Sequence, residues 1–155
     1  MRSVGSGQSI VDVVHVAAVC VCLALAVVSA ACSIPNLEAP QCTAARGTVR
    51  ELFSYHFGND MHFSPDNLAA REKFLTPEFE TALKSTTPGS DPFTLTREDD
   101  PPKAFRVGTC EASTSKASVQ VLLFWKTDTR SEQRELNAEV VKQGENWLVN
   151  GISNR

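Results

Sequence analysis

The sequence predicts an α+β domain, with N-terminal helices packed on a four-stranded antiparallel sheet. Two observations carry this. Between Thr48 and Leu83, apolar residues recur at helical spacing behind helix-start signals, and from Lys103 onward the texture changes to alternating runs separated by short polar turns. Consecutive hairpin-linked strands after packed helices fold as helices on one face of an antiparallel sheet.

The first helix is expected at Thr48–Phe57, where Val49, Leu52, Phe53 and Phe57 share a face. Thr48 with Glu51 has the form of a capping box, and Gly58 and Asn59 are stop signals. Ser64-Pro65 places a capping hydroxyl before a proline at the first helical position, which starts a second helix running to about Phe74. Thr76-Pro77-Glu78 repeats the device and starts a third, with Phe79, Ala82 and Leu83 on its apolar face. Residues 86–102, TTPGSDPFTLTREDDPP, read as a long surface crossing.

The strand runs are AFRVGTC, KASVQVLLFWKT, ELNAEVVKQ and NWLVNGI. In the second, Val119, Val121, Leu123 and Trp125 alternate onto one face opposite Gln120 and Lys126. Leu122 and Phe124 interrupt the polar face, which predicts that part of it is covered as well. The connectors EASTS, DTRSEQ and QGEN have hairpin composition.

The address is read from the leader. Residues 1–31 join a single basic residue, Arg2, to an uncharged apolar stretch, Val16–Val28, and end in the small residues Ser29, Ala30 and Ala31, the pattern of a cleaved secretory signal. A transmembrane helix is the rival; it needs roughly 20 apolar residues and a basic stop-transfer flank. His15 interrupts the run and no Lys or Arg follows before Arg46. Small residues before Cys32 resemble the bacterial lipoprotein box, although Ser29 stands where that box usually has Leu, Val or Ile. The resemblance implies that Cys32 carries diacylglycerol as the first mature residue; ordinary cleavage at Ala30 or Ala31 is the alternative. Residues 32–45 then form a lipidated tether or lead-in and 46–155 a single domain.

Of the five cysteines, Cys20 and Cys22 depart with the leader and lipid caps Cys32, which leaves Cys42 and Cys110 as an even pair. In an oxidising compartment such a pair is expected to form a disulfide. No Cys-x-x-Cys spacing remains to suggest zinc or a redox motif. The net charge of −3 gives no electrostatic footprint for nucleic acid and no polybasic patch for anionic lipid.

TVRELFSYHF, FLTPEFETAL, DPFT and the closing strand NWLVNGI, in that order, resemble domain-of-unknown-function family 3828, small bacterial exported proteins and lipoproteins. The likeness spans about residues 46–153. It implies a cystatin-like, nuclear-transport-factor-like roll, in which a curved sheet wraps helices, and an exported setting in the cell envelope. It implies no reaction. Many related sequences carry an acid where Asn150 or Gly151 stands here. Such rolls commonly enclose a pocket, so Trp125, Trp147, Phe93 and His56 are candidate lining residues, with Asp91 capping a turn and Phe93 plugging the open end.

Catalytic signatures are absent: there is no GxSxG elbow, no phosphate loop and no HExxH. His56, Asp60 and His62 form the one His/Asp cluster of the mature chain and lack the further ligands a metal needs, so no metal and no cofactor are expected. Glu98-Asp99-Asp100 lacks a glycine-turned calcium loop. The sequence therefore points to a non-enzymatic module that binds a small apolar molecule or an envelope protein while held to a membrane by lipid. The alternative is a small envelope hydrolase or isomerase using His56 or His62 as general base.

Overall fold

The structure, a computed structural model, describes residues 38–86 and 89–155. The leader, its cleavage point and Cys32 lie outside the described residues. Helix α1 spans Pro40–Gly58, α2 Pro65–Ala69 and α3 Pro77–Leu83, with a 3₁₀ turn at Glu72–Phe74. A two-residue pair, β1 (Ser90–Asp91) and β2 (Thr96–Arg97), precedes β3 (Ala104–Ala112), β4 (Lys116–Lys126), β5 (Ser131–Gln143) and β6 (Asn146–Asn154). The last four form one antiparallel sheet in the order β3-β4-β5-β6. The α+β class expected from the sequence is the observed one.

Helix α1 starts earlier than its apolar period suggests, at Pro40 rather than Thr48, so residues 40–45 are helix and not an irregular lead-in. Proline at the first helical position costs no hydrogen bond there. Cys42 and Ala45 are already buried, and Arg46 pairs with Glu38 at 2.7 Å, which ties down the first turn. Thr48 therefore caps nothing; its hydroxyl donates to the Trp147 carbonyl at 3.0 Å and pins the helix to β6. The other two starts are built as the sequence suggests. Ser64 Oγ accepts from the Asn67 amide at 3.2 Å, and Thr76 Oγ1 from the Phe79 amide at 3.1 Å. α2 stops at Ala69, and the 3₁₀ turn carries the chain to Phe74.

The core lies between α1 and one face of the sheet. Val49, Leu52 and Phe53 meet Val119, Val121, Leu123, Leu136, Ala138 and Val140, all fully buried. Each large apolar side chain so buried contributes about 1.5–3 kcal/mol. Register shifts at Val107/Cys110 and Glu139/Val140 interrupt the ladder on both outer pairs, and bulges of this kind sharpen twist and bend a sheet around its partner. Gly144, at φ 61°, closes the β5–β6 hairpin in a conformation glycine takes without strain. On the outer face Leu122 is buried and the Arg106 guanidinium lies 5.9 Å from the Phe124 ring centre, so this face is partly covered, as expected.

Cys42 and Cys110 stand at disulfide geometry, Cα–Cα 5.7 Å, linking the start of α1 to β3. No helix among the described residues is long and apolar enough to cross a membrane.

Within the expected crossing at 86–102, residues 89–102 are not merely surface. Asp91, Phe93, Thr94 and Thr96 are buried, and the β1–β2 turn inserts into the molecule beside the end of α1. The reason is polar: this turn supplies a carboxylate and hydroxyls that a buried histidine and arginine require.

Candidate functional site

The helical spacing that buries Val49, Leu52 and Phe53 also turns His56 inward, and only 1 % of it is exposed. A solvated helix end is thus the wrong description of this histidine. Its Nε2 lies 2.8 Å from Asp91 Oδ2, and its Nδ1 accepts from Arg71 Nε at 3.0 Å. A nitrogen that accepts carries no proton, so the imidazole takes the Nε2–H tautomer and donates to Asp91.

Arg71, 2 % exposed, stands just beyond α2. Its remaining nitrogens donate to the carbonyls of Asn67 at 2.5 Å and Asp60 at 2.8 Å. Burial pushes its pKa down from the ordinary arginine value, opposed first by the Asp91 carboxylate and then by Tyr55 and Asp60. Tyr55 and Phe93 ring centres lie 5.5 and 5.8 Å from its Cζ, which gives the cation aromatic faces as well as hydrogen bonds.

Asp91 is equally enclosed. Oδ1 accepts from the Phe93 amide at 2.9 Å, capping the turn, and Oδ2 takes the Thr94 hydroxyl as well as His56. Thr94 Oγ1 in turn lies 2.7 Å from Thr96 Oγ1; since Thr94 gives its proton to Asp91, Thr96 donates to Thr94. Phe93 packs on the imidazole with ring centres 5.1 Å apart. Leu95, at φ 54°, takes the left-handed conformation that brings the turn back into β2. Arginine, histidine and aspartate therefore form a chain of buried polar groups in which both imidazole nitrogens are occupied within the protein.

The other sequence candidates fall in separate places. His62 is exposed and lies 3.0 Å from Glu98 on the outer surface. Asp60 accepts from the His62 amide at 2.9 Å and from the Asn67 amide nitrogen at 3.2 Å. The acidic run is split: Glu98 takes the Phe63 amide and His62, Asp99 takes Arg97, and Asp100 takes Arg130. Among the described residues no group of three or more His, Cys, Asp or Glu side chains is arranged to hold a metal. Trp125 and Phe93 are core, and the Trp125 indole donates to the Asp100 carbonyl at 3.1 Å. Trp147 alone of the four lining candidates is partly exposed, beside a hollow of about 480 Å³ with Thr48, Lys73 and Phe74.

A larger hollow, about 650 Å³, opens between α2 and α3. Phe63, Pro65, Leu68 and Ala69 make its apolar wall, and Glu72, Glu80 and Lys84 its rim. Lys84 Nζ is 2.6 Å from Glu80, whose hydrogen bond raises the lysine pKa. Ser64 lines the hollow too, but its oxygen is engaged as the α2 cap. Thr86 lines it as well, and neither hydroxyl is hydrogen-bonded to Glu72 or Glu80. The volume lies within the range of small-molecule sites, which are mostly apolar with a few placed polar groups.

No family model matches the sequence, and no curated protein matches it. Solved structures do. One is an Ntf2-like, potential transfer protein TraM from the Gram-positive conjugative plasmid pIP501, 15 % identical over 73 % of this chain and 95 % of that one, at a TM-score of 0.48. Another is a protein of unknown function from Bacteroides thetaiotaomicron VPI-5482, 19 % identical over 72 % and 89 % of the two chains, at 0.49. A third is an Ntf2 like protein involved in plasmid conjugation, 13 % identical over 73 % of this chain and 38 % of that one, at 0.41. Similarity at this level transfers neither partner nor activity.

Proposed function

We propose that this chain is an exported, lipid-anchored binding module of the bacterial cell envelope, a non-enzymatic roll of the kind family 3828 represents. Its ligand is a small molecule with an apolar body, held between α2 and α3. One observation carries the choice of binding over catalysis: both nitrogens of His56 are spent on Arg71 and Asp91 inside the core, while the hollow between α2 and α3 has an apolar wall and no histidine in its lining. The address rests on the leader, on Cys32 and on the Cys42–Cys110 pair, since disulfides persist in oxidising compartments.

Native mass spectrometry of the protein purified from membranes tests the ligand. An organic-extractable mass adduct is expected on the wild type and not on Ala69→Trp, which fills the hollow from an exposed position of its wall. A wild-type protein free of any adduct, and unmoved in melting temperature by a panel of fatty acids and isoprenoids, rejects this assignment.

A further inference from the structure

The two indoles of the chain are used differently. Trp125 is buried and gives its N–H to the Asp100 carbonyl. Trp147 is partly exposed in the hollow of about 480 Å³ between α1, the 3₁₀ turn and β6, and among the described residues its N–H has no partner. A tryptophan with accessible ring and free donor suits a ligand that is apolar on one face and polar at its edge.

The frame around this ring is tied together. Thr48 on α1 donates to the Trp147 carbonyl at 3.0 Å. Two residues further along β6, the Val149 carbonyl accepts from the Thr76 amide at 3.0 Å, and the Thr76 hydroxyl donates to Asn150 Oδ1 at 2.9 Å. Helix, turn exit and strand are therefore bonded to one another, and the buried Phe74 closes the hollow from the core.

Four exposed polar side chains complete it: Glu51 from α1, Lys73 from the 3₁₀ turn, and Glu145 and Asn146 from the β5–β6 hairpin. They are unspent. Glu145 has only a long contact with Lys142 at 3.9 Å, and the Lys73 ammonium lies 4.8 Å from the Phe74 ring centre. The Glu51 and Asn146 side chains make no hydrogen bond among the described residues. The hollow thus presents free donors and free acceptors around an aromatic ring. A phosphate there meets two carboxylates, and an organic cation meets Lys73. A wholly apolar body strips water from four polar groups and pairs none of them, which is unfavourable. A pyranose matches the set, because its C–H face is apolar and each hydroxyl at its rim both donates and accepts.

We propose that the Trp147 hollow is a carbohydrate-binding site, taking a neutral pyranose with its C–H face on the indole and its hydroxyls on Glu51, Lys73, Glu145 and Asn146. It shares no lining residue with the hollow between α2 and α3, so the two assignments stand independently.

The sequence holds two tryptophans, so a nitrogen-15 spectrum carries two indole signals, with Trp125 as internal reference. The full chain, expressed with its own leader, is titrated with methyl glucoside, methyl galactoside, N-acetylglucosamine and the N-acetylglucosamine trimer, and separately with inorganic phosphate and choline. At least one saccharide is expected to shift the Trp147 signal saturably while the Trp125 signal stays in place. By calorimetry, Trp147→Ala is expected to raise the dissociation constant of that saccharide at least about fivefold, as loss of an aromatic anchor does. Glu51→Ala, at an exposed position of α1, is expected to raise it at least about threefold through a lost hydrogen bond, and carries the test if Trp147→Ala lowers the urea midpoint. Absence of a saturable shift with all of the saccharides overturns the site. A shift with phosphate or choline alone overturns the ligand class, and saccharide binding indifferent to Glu51→Ala overturns the placement.

Discussion

Arg71 Nε donates to His56 Nδ1 at 3.0 Å, in a region where both side chains are essentially sealed from water. This bond sets the imidazole tautomer, and the tautomer sets what His56 can do. With Nε2–H given to Asp91, the histidine relays contact between an arginine cation and an aspartate while offering neither nitrogen to a substrate. The group is a fastener between α1, the α2 exit and the β1–β2 turn, three segments that share few other polar contacts.

Removal of Arg71 is accordingly expected to be costly. Arg71→Ala leaves His56 Nδ1 and the Asn67 and Asp60 carbonyls without a donor and Asp91 without its cation, a loss of about 3–5 kcal/mol of unfolding free energy. Arg71→Lys is expected to recover little of it, because a single ammonium does not reproduce the guanidinium fork. Urea titration measures both. Nitrogen-15 shifts of His56 report the tautomer directly: a protonated Nε2 and a bare Nδ1 are expected, and the reverse pattern rules out the assigned network.

Local signals in the sequence were legible where one turn of chain decides the outcome. Ser64-Pro65 and Thr76-Pro77 announce caps that form as read, and the alternation of β4 reports its buried face. The start of α1 was hidden because its inward residues, Cys42 and Ala45, are small and follow two prolines, Pro35 and Pro40, so no apolar period stands out. His56 occupied a position on the Val49–Leu52–Phe53 stripe, a clue to burial that its polarity obscured. Arg71 gave no signal. It lies in the stretch AAREKF, and its partners are 15 residues away at His56 and on the inserted turn, a long-range arrangement that no local pattern encodes.

Breaking the link between α1 and β3 tests the cysteine pair. It closes a separation of 68 residues, and loops of that size stabilise the folded state by about 3–5 kcal/mol on the chain-entropy model. Cys110→Ser, or reductant on the wild type, is expected to lower the urea midpoint by matching amounts. A midpoint indifferent to reductant removes the covalent tie from the account.

Asp60 carries a pH signature on the loop after α1. The His62 amide on its carboxylate, then the Asn67 side chain, hold its pKa below the ordinary aspartate value, outweighing a small opposing effect of burial. A folded pKa that is depressed contributes stability fully present above the unfolded value and lost as pH falls through the folded one. Carbon-13 NMR of the carboxyl is expected to show Asp60 titrating below a free aspartate. Asn67→Ala is expected to move it upward, and protection of the His62 amide to fade over the same acidic interval. An Asp60 that titrates as a free aspartate in the wild type contradicts the tie.

The outer face of the sheet offers a coupling measurement. Gln120 folds over Gly108, where its Oε1 accepts from the Thr109 amide and hydroxyl at 3.2 Å each and its Nε2 donates to Glu135 at 2.9 Å. A Cβ at Gly108 lands on that oxygen. The obstacle is the far end of a flexible side chain, so Gly108→Ala is expected to swing Gln120 into solvent rather than deform the strand, at a cost of about 0.5–1.5 kcal/mol for the exposed hydrogen bonds it loses. If so, the cost belongs to Gln120. In a Gln120→Ala background the same alanine meets only the Cβ of residue 120, at 3.2 Å, and the second substitution is expected to add little, giving a coupling energy close to the single-mutant loss. Additive losses in the double-mutant cycle place the penalty in the β3 backbone at the bulge instead.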